Sequence, residues 1–163
     1  AWLVERAGFA KGTVRGGAYM RAIRALKPDA HIVQRACPLF VALAEEGWTT
    51  GPVPELAAEH YLKDIFAENE KPDTLVLGCT HFPVLVAPIA KAIGGEITLV
   101  DSAAATTIEV ERLLDERAQR RRAAAAAPVF LGTDAPERFA RVGSLFLGSP
   151  ISPAQVELVD LAP

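Results

Sequence analysis

The run Asp73-Thr-Leu-Val-Leu77 restricts the fold of this chain more than any other stretch. It is apolar without alternation and is bounded by Pro72 and Gly78. A strand with one wetted face alternates polar and apolar residues, whereas a run with no polar face reads as a strand covered on both sides, as in a parallel sheet. Parallel strands cannot be joined by hairpins and need crossovers, usually helices. The neighbouring sequence has that rhythm. Residues 16–27 place Ala18, Ala22, Ala25 and Leu26 on one helical stripe, with Pro28 as a stop. His31 to Arg35 is a short strand candidate, and CPLFVALAEEG reads as a turn and a short helix closed by Gly47.

Downstream the alternation continues. A loop punctuated by Gly51 and Pro52 leads to a helix over about 54–69, then comes the run at 73–77, a helix near 84–93 ended by Gly94 and Gly95, and a strand at 97–100. Asp101 or Ser102 can cap a long helix reaching about Arg122, where Arg120, Arg121 and Arg122 favour the helix dipole as a solvated end. Five alanines at 123–127 look like a connection, residues 128–133 like a strand and residues near 136–145 like a helix, followed by a polar-apolar tail. The opening, AWLVERAGFA, shows no obvious helix or strand boundary. The pattern as a whole is α/β.

Composition narrows the function classes. Half of the residues are hydrophobic and 23% are charged, which suits a packed core and not a disordered chain. The formal charge of -3 leaves no basic excess for nucleic acid. No apolar stretch is long enough to span a bilayer and there is no signal-peptide pattern, so the expectation is a cytoplasmic protein with no membrane partner. Two cysteines, Cys37 and Cys79, and three scattered histidines, His31, His60 and His81, make neither a disulfide framework nor a metal cluster. His31 and His60 read as ordinary partly buried residues, and Trp48 as a cleft lining or a loop anchor.

The chemistry lies after the apolar run, in Gly78-Cys-Thr-His-Phe-Pro-Val-Leu85. Ligands of open α/β sheets bind at the carboxyl ends of strands, and a helix start there favours a thiolate or a bound carboxylate. A histidine two residues after a cysteine can hydrogen-bond the thiol or take part in its proton transfer. These residues alone leave a second reading open, with Cys79 a buried small hydrophobe and His81 a helix cap.

GCTHFPVL resembles the second catalytic-cysteine motif of glutamate racemases. GTVRGGAY (12–19), ACPLFVALAEEG (36–47) and Val100-Asp-Ser-Ala103 resemble that family's flanking segments in order and spacing, and FLGTD and FARVGSLFLG extend the resemblance over nearly the whole chain. Related aspartate racemases carry glutamate at the position of His81. The resemblance implies a parallel-sheet αβα sandwich of the aspartate/glutamate racemase type. It also implies interconversion of L- and D-glutamate, for peptidoglycan synthesis, with neither cofactor nor metal.

In that family one cysteine removes the α-proton and a second returns a proton to the opposite face. Cys79 would be one base, and His81 would assist its proton traffic. Glu45 would support the histidine, although Ala42-Leu43-Ala44 replaces the family's usual Pro-Leu-Val before it. Thr80, His81 and, as a minor contact, Thr13 would touch substrate; Ala10 stands where the family has a further threonine. Cys37 falls at a non-catalytic position and reads as a buried structural thiol.

The family's Asp-Ser-Gly turn and its first cysteine, followed by Asn-Thr, do not occur in this chain, which begins at Ala1. The expectation is therefore a partial two-domain enzyme holding one of two bases. Residues 1–104 would form the second racemase domain, and 105–163 would pack on a missing first domain; a homo-oligomer is the other way to supply a partner surface. The alternatives are an aspartate or hydantoin racemase relative and a non-catalytic racemase-like α/β binding domain. A cysteine hydrolase using Cys79 and His81 is disfavoured, because such dyads bring the histidine from a distant segment.

Overall fold

A computed structural model describes residues 2–5, 17–66, 72–121, 123 and 126–160. Four strands, β1 (Trp2–Glu5), β2 (Val33–Ala36), β3 (Thr74–Leu77) and β4 (Thr98–Asp101), form a parallel sheet in the order β2-β1-β3-β4. The helices are α1 (Ala18–Leu26), α2 (Pro38–Glu46), α3 (Pro52–Phe66), α4 (Val86–Ile93), α5 (Ser102–Glu116) and α6 (Pro136–Leu147). Strands β5 (Phe130–Gly132) and β6 (Val156–Leu158) make a separate parallel pair. The chain divides into two compact units, Ala1–Glu109 and Val110–Pro163, with the division falling inside α5.

The strand order decides where a ligand can sit. From β1 the chain crosses to β2 on one side, and from β3 it crosses to β4 on the other. Connections that leave adjacent strands in opposite directions open a crevice at the carboxyl ends of those two strands. In this sheet the crevice lies beyond β1 and β3.

The core of the first unit covers one face of β3 completely. Leu75 and Leu77 are buried, and around them pack Phe40, Leu43 and Ala44 of α2, Ala58, Leu62 and Ile65 of α3, Phe82, Leu85, and Ile89 of α4, while Thr74 and Val76 on the other face are half-buried. The buried positions recur at helical spacing, 40, 43 and 44 on α2 and 58, 62 and 65 on α3. Phe40 is the hub. Its ring meets Phe82 edge-on at 5.4 Å and Tyr61 at 5.2 Å. The Tyr61 hydroxyl accepts the Leu39 amide at 3.0 Å, satisfying one of the donors that the start of α2 leaves open.

The second unit has its own small cluster, Ala140, Ile151 and Val156, against Phe130 and Phe139. The chain comes so close to α6 that a Cβ on Gly143 would lie 3.1 Å from Ile151 Cδ1. Ser144 ties the same approach, its hydroxyl accepting the Ile151 amide at 2.8 Å and donating to the Ala140 carbonyl at 2.6 Å. Among the described residues no helix is long and apolar enough to cross a membrane.

Several expectations need correction. The stripe Ala18, Ala22, Ala25, Leu26 is exposed, Leu26 at 91%, while Tyr19, Met20 and Ile23 are half-buried. Alanines carry little apolar area, so the bulkier side chains set which face turns inward. Helix α5 stops at Glu116 and not near Arg122: Ala118 turns left-handed at φ 51°, and the Gln119 amide reaches the Leu114 carbonyl at 2.8 Å. Arg120 then folds back onto Asp115 at 2.8 Å. The opening residues do include a strand, β1, inside the sheet, and the tail contains β6. His31 and His60 are exposed and not partly buried, and Trp48 is 57% exposed.

Replacing Phe40 with alanine removes both ring contacts and leaves a hole at the centre of the first unit. Urea unfolding of that variant should show a loss of about 3–5 kcal/mol relative to the unchanged chain; a loss below about 1 kcal/mol would show that Phe40 is not the hub.

Candidate functional site

Strand β3 ends at Leu77, fully buried, and Gly78 lets the chain leave the sheet. Cys79 follows at 5% exposure, at the carboxyl end of β3 and therefore at the crevice defined by the strand order. The Phe82 amide bonds the Cys79 carbonyl at 3.2 Å, which closes a tight turn over Cys79, Thr80 and His81. A short 3-10 turn, Phe82–Leu85, then runs into α4 and buries Phe82 and Leu85 beneath it. The turn is thus held by apolar anchors, with Cys79 buried, His81 half-buried and Thr80 exposed.

His81 joins the turn to α2. Its Nε2 lies 2.7 Å from Glu45 Oε1 and its Nδ1 lies 4.0 Å from Cys79 Sγ and 3.4 Å from Thr80 Oγ1. The His81 and Glu45 side chains are 14% and 24% exposed, so the contact is partly shielded from water. Glu45 stands in the last turn of α2, where the helix dipole disfavours a carboxylate, and that turn holds no basic residue. A proton on Nε2 offsets this cost. It also leaves Nδ1 as the ring nitrogen facing the sulfur.

The arrangement is a relay of carboxylate, imidazole and thiol. With Nε2–H donating to Glu45, Nδ1 can accept the proton of Cys79 and give it back. The sulfur distance is at the long edge of a hydrogen bond, as unliganded catalytic contacts often are. Thr80 is exposed, with its hydroxyl beside the same nitrogen. Of the residues singled out in the sequence, Cys79, Thr80, His81 and Glu45 come together, the last from 36 residues away from His81. Thr13 lies outside the described residues.

Cys37 is elsewhere in character. It is fully buried in the core cluster, its Sγ 3.9 Å from the Arg35 carbonyl, and burial pushes its thiol up to about 12. Two supporting side chains were not recognised as such in the sequence. One is Tyr61, which braces α2. The other is Ser102, read only as a helix cap, whose hydroxyl donates to the Leu77 carbonyl at 2.8 Å. Ser102 directly follows Asp101, the register partner of Leu77 at the end of β3.

No protein-family model matches the chain. Individual proteins do. The chain is 44% identical over 142 residues to the glutamate racemase of Geobacter metallireducens, covering 86% of this chain and 52% of that protein. It is 43% identical over 139 residues to the glutamate racemase of Syntrophus aciditrophicus, covering 83% and 50%. The chain thus spans about half the length of the curated relatives it matches. Among solved structures, the glutamate racemase of Francisella tularensis in complex with D-glutamate superposes with a TM-score of 0.81 at 29% identity, over 98% of this chain and 58% of that one. That of Thermus thermophilus in complex with beta-chloro-D-alanine superposes with a TM-score of 0.79 at 33% identity, over 98% and 56%. The chain has their mixed α/β fold with parallel strands.

The two thiols should separate in experiment. At pH 8 a thiol titrating at about 12 is a thiolate in roughly one molecule in ten thousand. Native-state alkylation below pH 9, mapped by peptide mass, should therefore mark Cys79 well ahead of Cys37, and denaturant should equalise them. The thiol of Cys37 is raised in the folded state, so its contribution to stability is complete below the range of an ordinary thiol, about 8.5, and is lost as pH rises towards about 12. Cys37→Ala should flatten the decline of urea stability over that window; an unchanged slope would show that this group does not govern it.

Proposed function

We propose that this chain, which looks like part of a glutamate racemase, supplies the Cys79 base of a cofactor-independent racemisation of glutamate by two thiols. The observation that carries the reading is the single imidazole that bridges Cys79 at 4.0 Å and Glu45 at 2.7 Å at the carboxyl end of β3.

The chemistry follows from that bridge. The α-proton of an amino acid is a very weak acid, and an ordinary thiol has a pKa of about 8.5. As thiolate, Cys79 takes the α-proton, the electron pair stays on Cα, and the sulfur becomes a thiol. A second thiol on the opposite face gives its proton to Cα and becomes the thiolate. His81, with its Nε2–H held by Glu45, moves the proton on and off Cys79 between turnovers. Thr80, exposed at the crevice, supplies a hydroxyl and a backbone amide to a substrate carboxylate, and Thr13 is a minor contact. Shielding from water strengthens these interactions as negative charge develops on the substrate.

Racemisation needs donors on both faces of Cα, and the site offers one. Cys37, buried and titrating near 12, is unsuited to be the other. We therefore place the second thiol on a partner domain or chain, against which residues from about 105 onward would pack, and we expect the reaction to run in the cytoplasm.

Glutamate should slow iodoacetamide labelling of Cys79 several-fold, aspartate should do so less, and Glu45→Gln should abolish the difference. Equal labelling with and without glutamate at millimolar concentration would refute the assignment. In deuterium oxide this polypeptide alone should not interconvert D- and L-glutamate, as followed by optical rotation. Sustained interconversion by the purified chain would defeat the one-base argument.

A further inference from the structure

We infer that Ser102 is a positioning residue for Cys79: by holding the Leu77 carbonyl, its hydroxyl fixes the direction in which the chain leaves β3 and so sets the sulfur against His81 Nδ1. The inference rests on the reading of Cys79 as a base.

The geometry begins with an accounting of backbone groups. In a parallel ladder the carbonyl at a strand end is taken by an amide of the neighbouring strand, and a buried carbonyl left alone is costly. Leu77 is fully buried, and its partner in register is Asp101, the last residue of β4. Beyond Asp101 the chain turns into α5, so the side chains of its first residues stand at the end of the ladder. The Ala103 amide goes to Asp101 Oδ1 at 2.8 Å. Half-buried Ser102 adds a side-chain donor at that end, Oγ to the Leu77 carbonyl at 2.8 Å. Its own carbonyl accepts the Thr106 hydroxyl at 2.7 Å, which ties the serine into the first turn of α5.

That carbonyl belongs to the peptide plane joining Leu77 to Gly78, and Gly78 is the softest joint in the chain before the thiol. With the plane held, rotation is confined to Gly78 and Cys79 themselves. With it released, the turn can tilt and the distance from Sγ to Nδ1, 4.0 Å and already long, opens further. Ser102 therefore acts through Cys79 and touches no reacting atom. Among the described side chains, the groups able to shift the sulfur's titration are His81 on the same turn, Glu45 of α2 through it, and Asp101 at the end of β4. Removing the Ser102 hydroxyl changes none of their charges.

The test is the rate of iodoacetamide labelling of Cys79 against pH, in which the midpoint reports the ease of forming the thiolate and the plateau reports access. Ser102→Ala should raise the midpoint by roughly half to one pH unit, a three- to tenfold loss of thiolate at pH 7. Ser144→Ala, which removes a similar hydroxyl-to-carbonyl bond in the second unit, should leave it in place. Ser102→Thr should keep the original midpoint and Ser102→Val, its hydroxyl-free match in shape, should shift it. This second pair decides the matter if the alanine variant does not fold. A change of plateau alone, or equal midpoints for Thr and Val, would overturn the inference. If the unchanged chain itself labels at Cys79 with the midpoint of an unfolded cysteine, the assignment of Cys79 as a base fails first and takes this inference with it.

Discussion

One hydrogen bond, His81 Nε2 to Glu45 at 2.7 Å, joins two segments that are 36 residues apart in the chain, and the remaining structure of the first unit serves to hold its ends in place. On one side stands the turn after β3, anchored below by Phe82 and Leu85. On the other stands α2, anchored by Phe40 and braced at its start by Tyr61. Phe40 touches both Phe82 and Tyr61, so the ring stack beneath the site spans the same gap that the hydrogen bond spans above it. The bond is short because packing brings its ends together. A partly exposed ion pair would not contribute enough to do so alone.

This division of labour also explains why a carboxylate sits where the helix dipole opposes it. Glu45 in the last turn of α2 would be unfavourable as an isolated acid. Its pairing with the imidazole removes that cost and settles which ring nitrogen faces the thiol. Ser102 adds a side-chain bond to the Leu77 carbonyl, one residue before the glycine that leads to Cys79, where β4 gives way to α5.

Much of this was legible in the residues because it follows from local rules. The Thr74–Leu77 run became an inner strand of the sheet, fully buried on its Leu75 and Leu77 face and half-buried on the other, Gly47 took the left-handed conformation that closes α2, and Pro38 and Pro52 opened helices as their fixed φ favours. What the residues hid was non-local. Strand β1 pairs with β2 and β3 across crossovers that no short window contains, and β6 is three residues long. The inward face of α1 could not be read from an alanine stripe, since alanines leave the choice to bulkier neighbours. The end of α5 was misplaced because Arg120 pairs backward with Asp115 instead of extending the helix. At the site, the Cys79–His81 pairing was readable from spacing, and Glu45 entered through resemblance. The role of Ser102 depends on the register between β3 and β4.

The contrast between the two cysteines carries the mechanistic argument to its end. Both are buried in the same core cluster, yet Cys37 has a carbonyl for its polar neighbour, and Cys79 has an imidazole 4.0 Å away. Burial alone raises a thiol's pKa and makes it inert; burial beside a proton acceptor keeps it shielded but able to ionise on demand. A base strong enough to reach an α-proton must have both properties, because a fully hydrated thiolate is stabilised by water that the substrate then has to displace. On the proposed reading Cys79 is the sulfur with that combination, and Cys37, raised to about 12 by burial, is not. A two-sided proton transfer therefore requires the opposite face of the substrate to be served by a group that meets the same condition from another domain or chain.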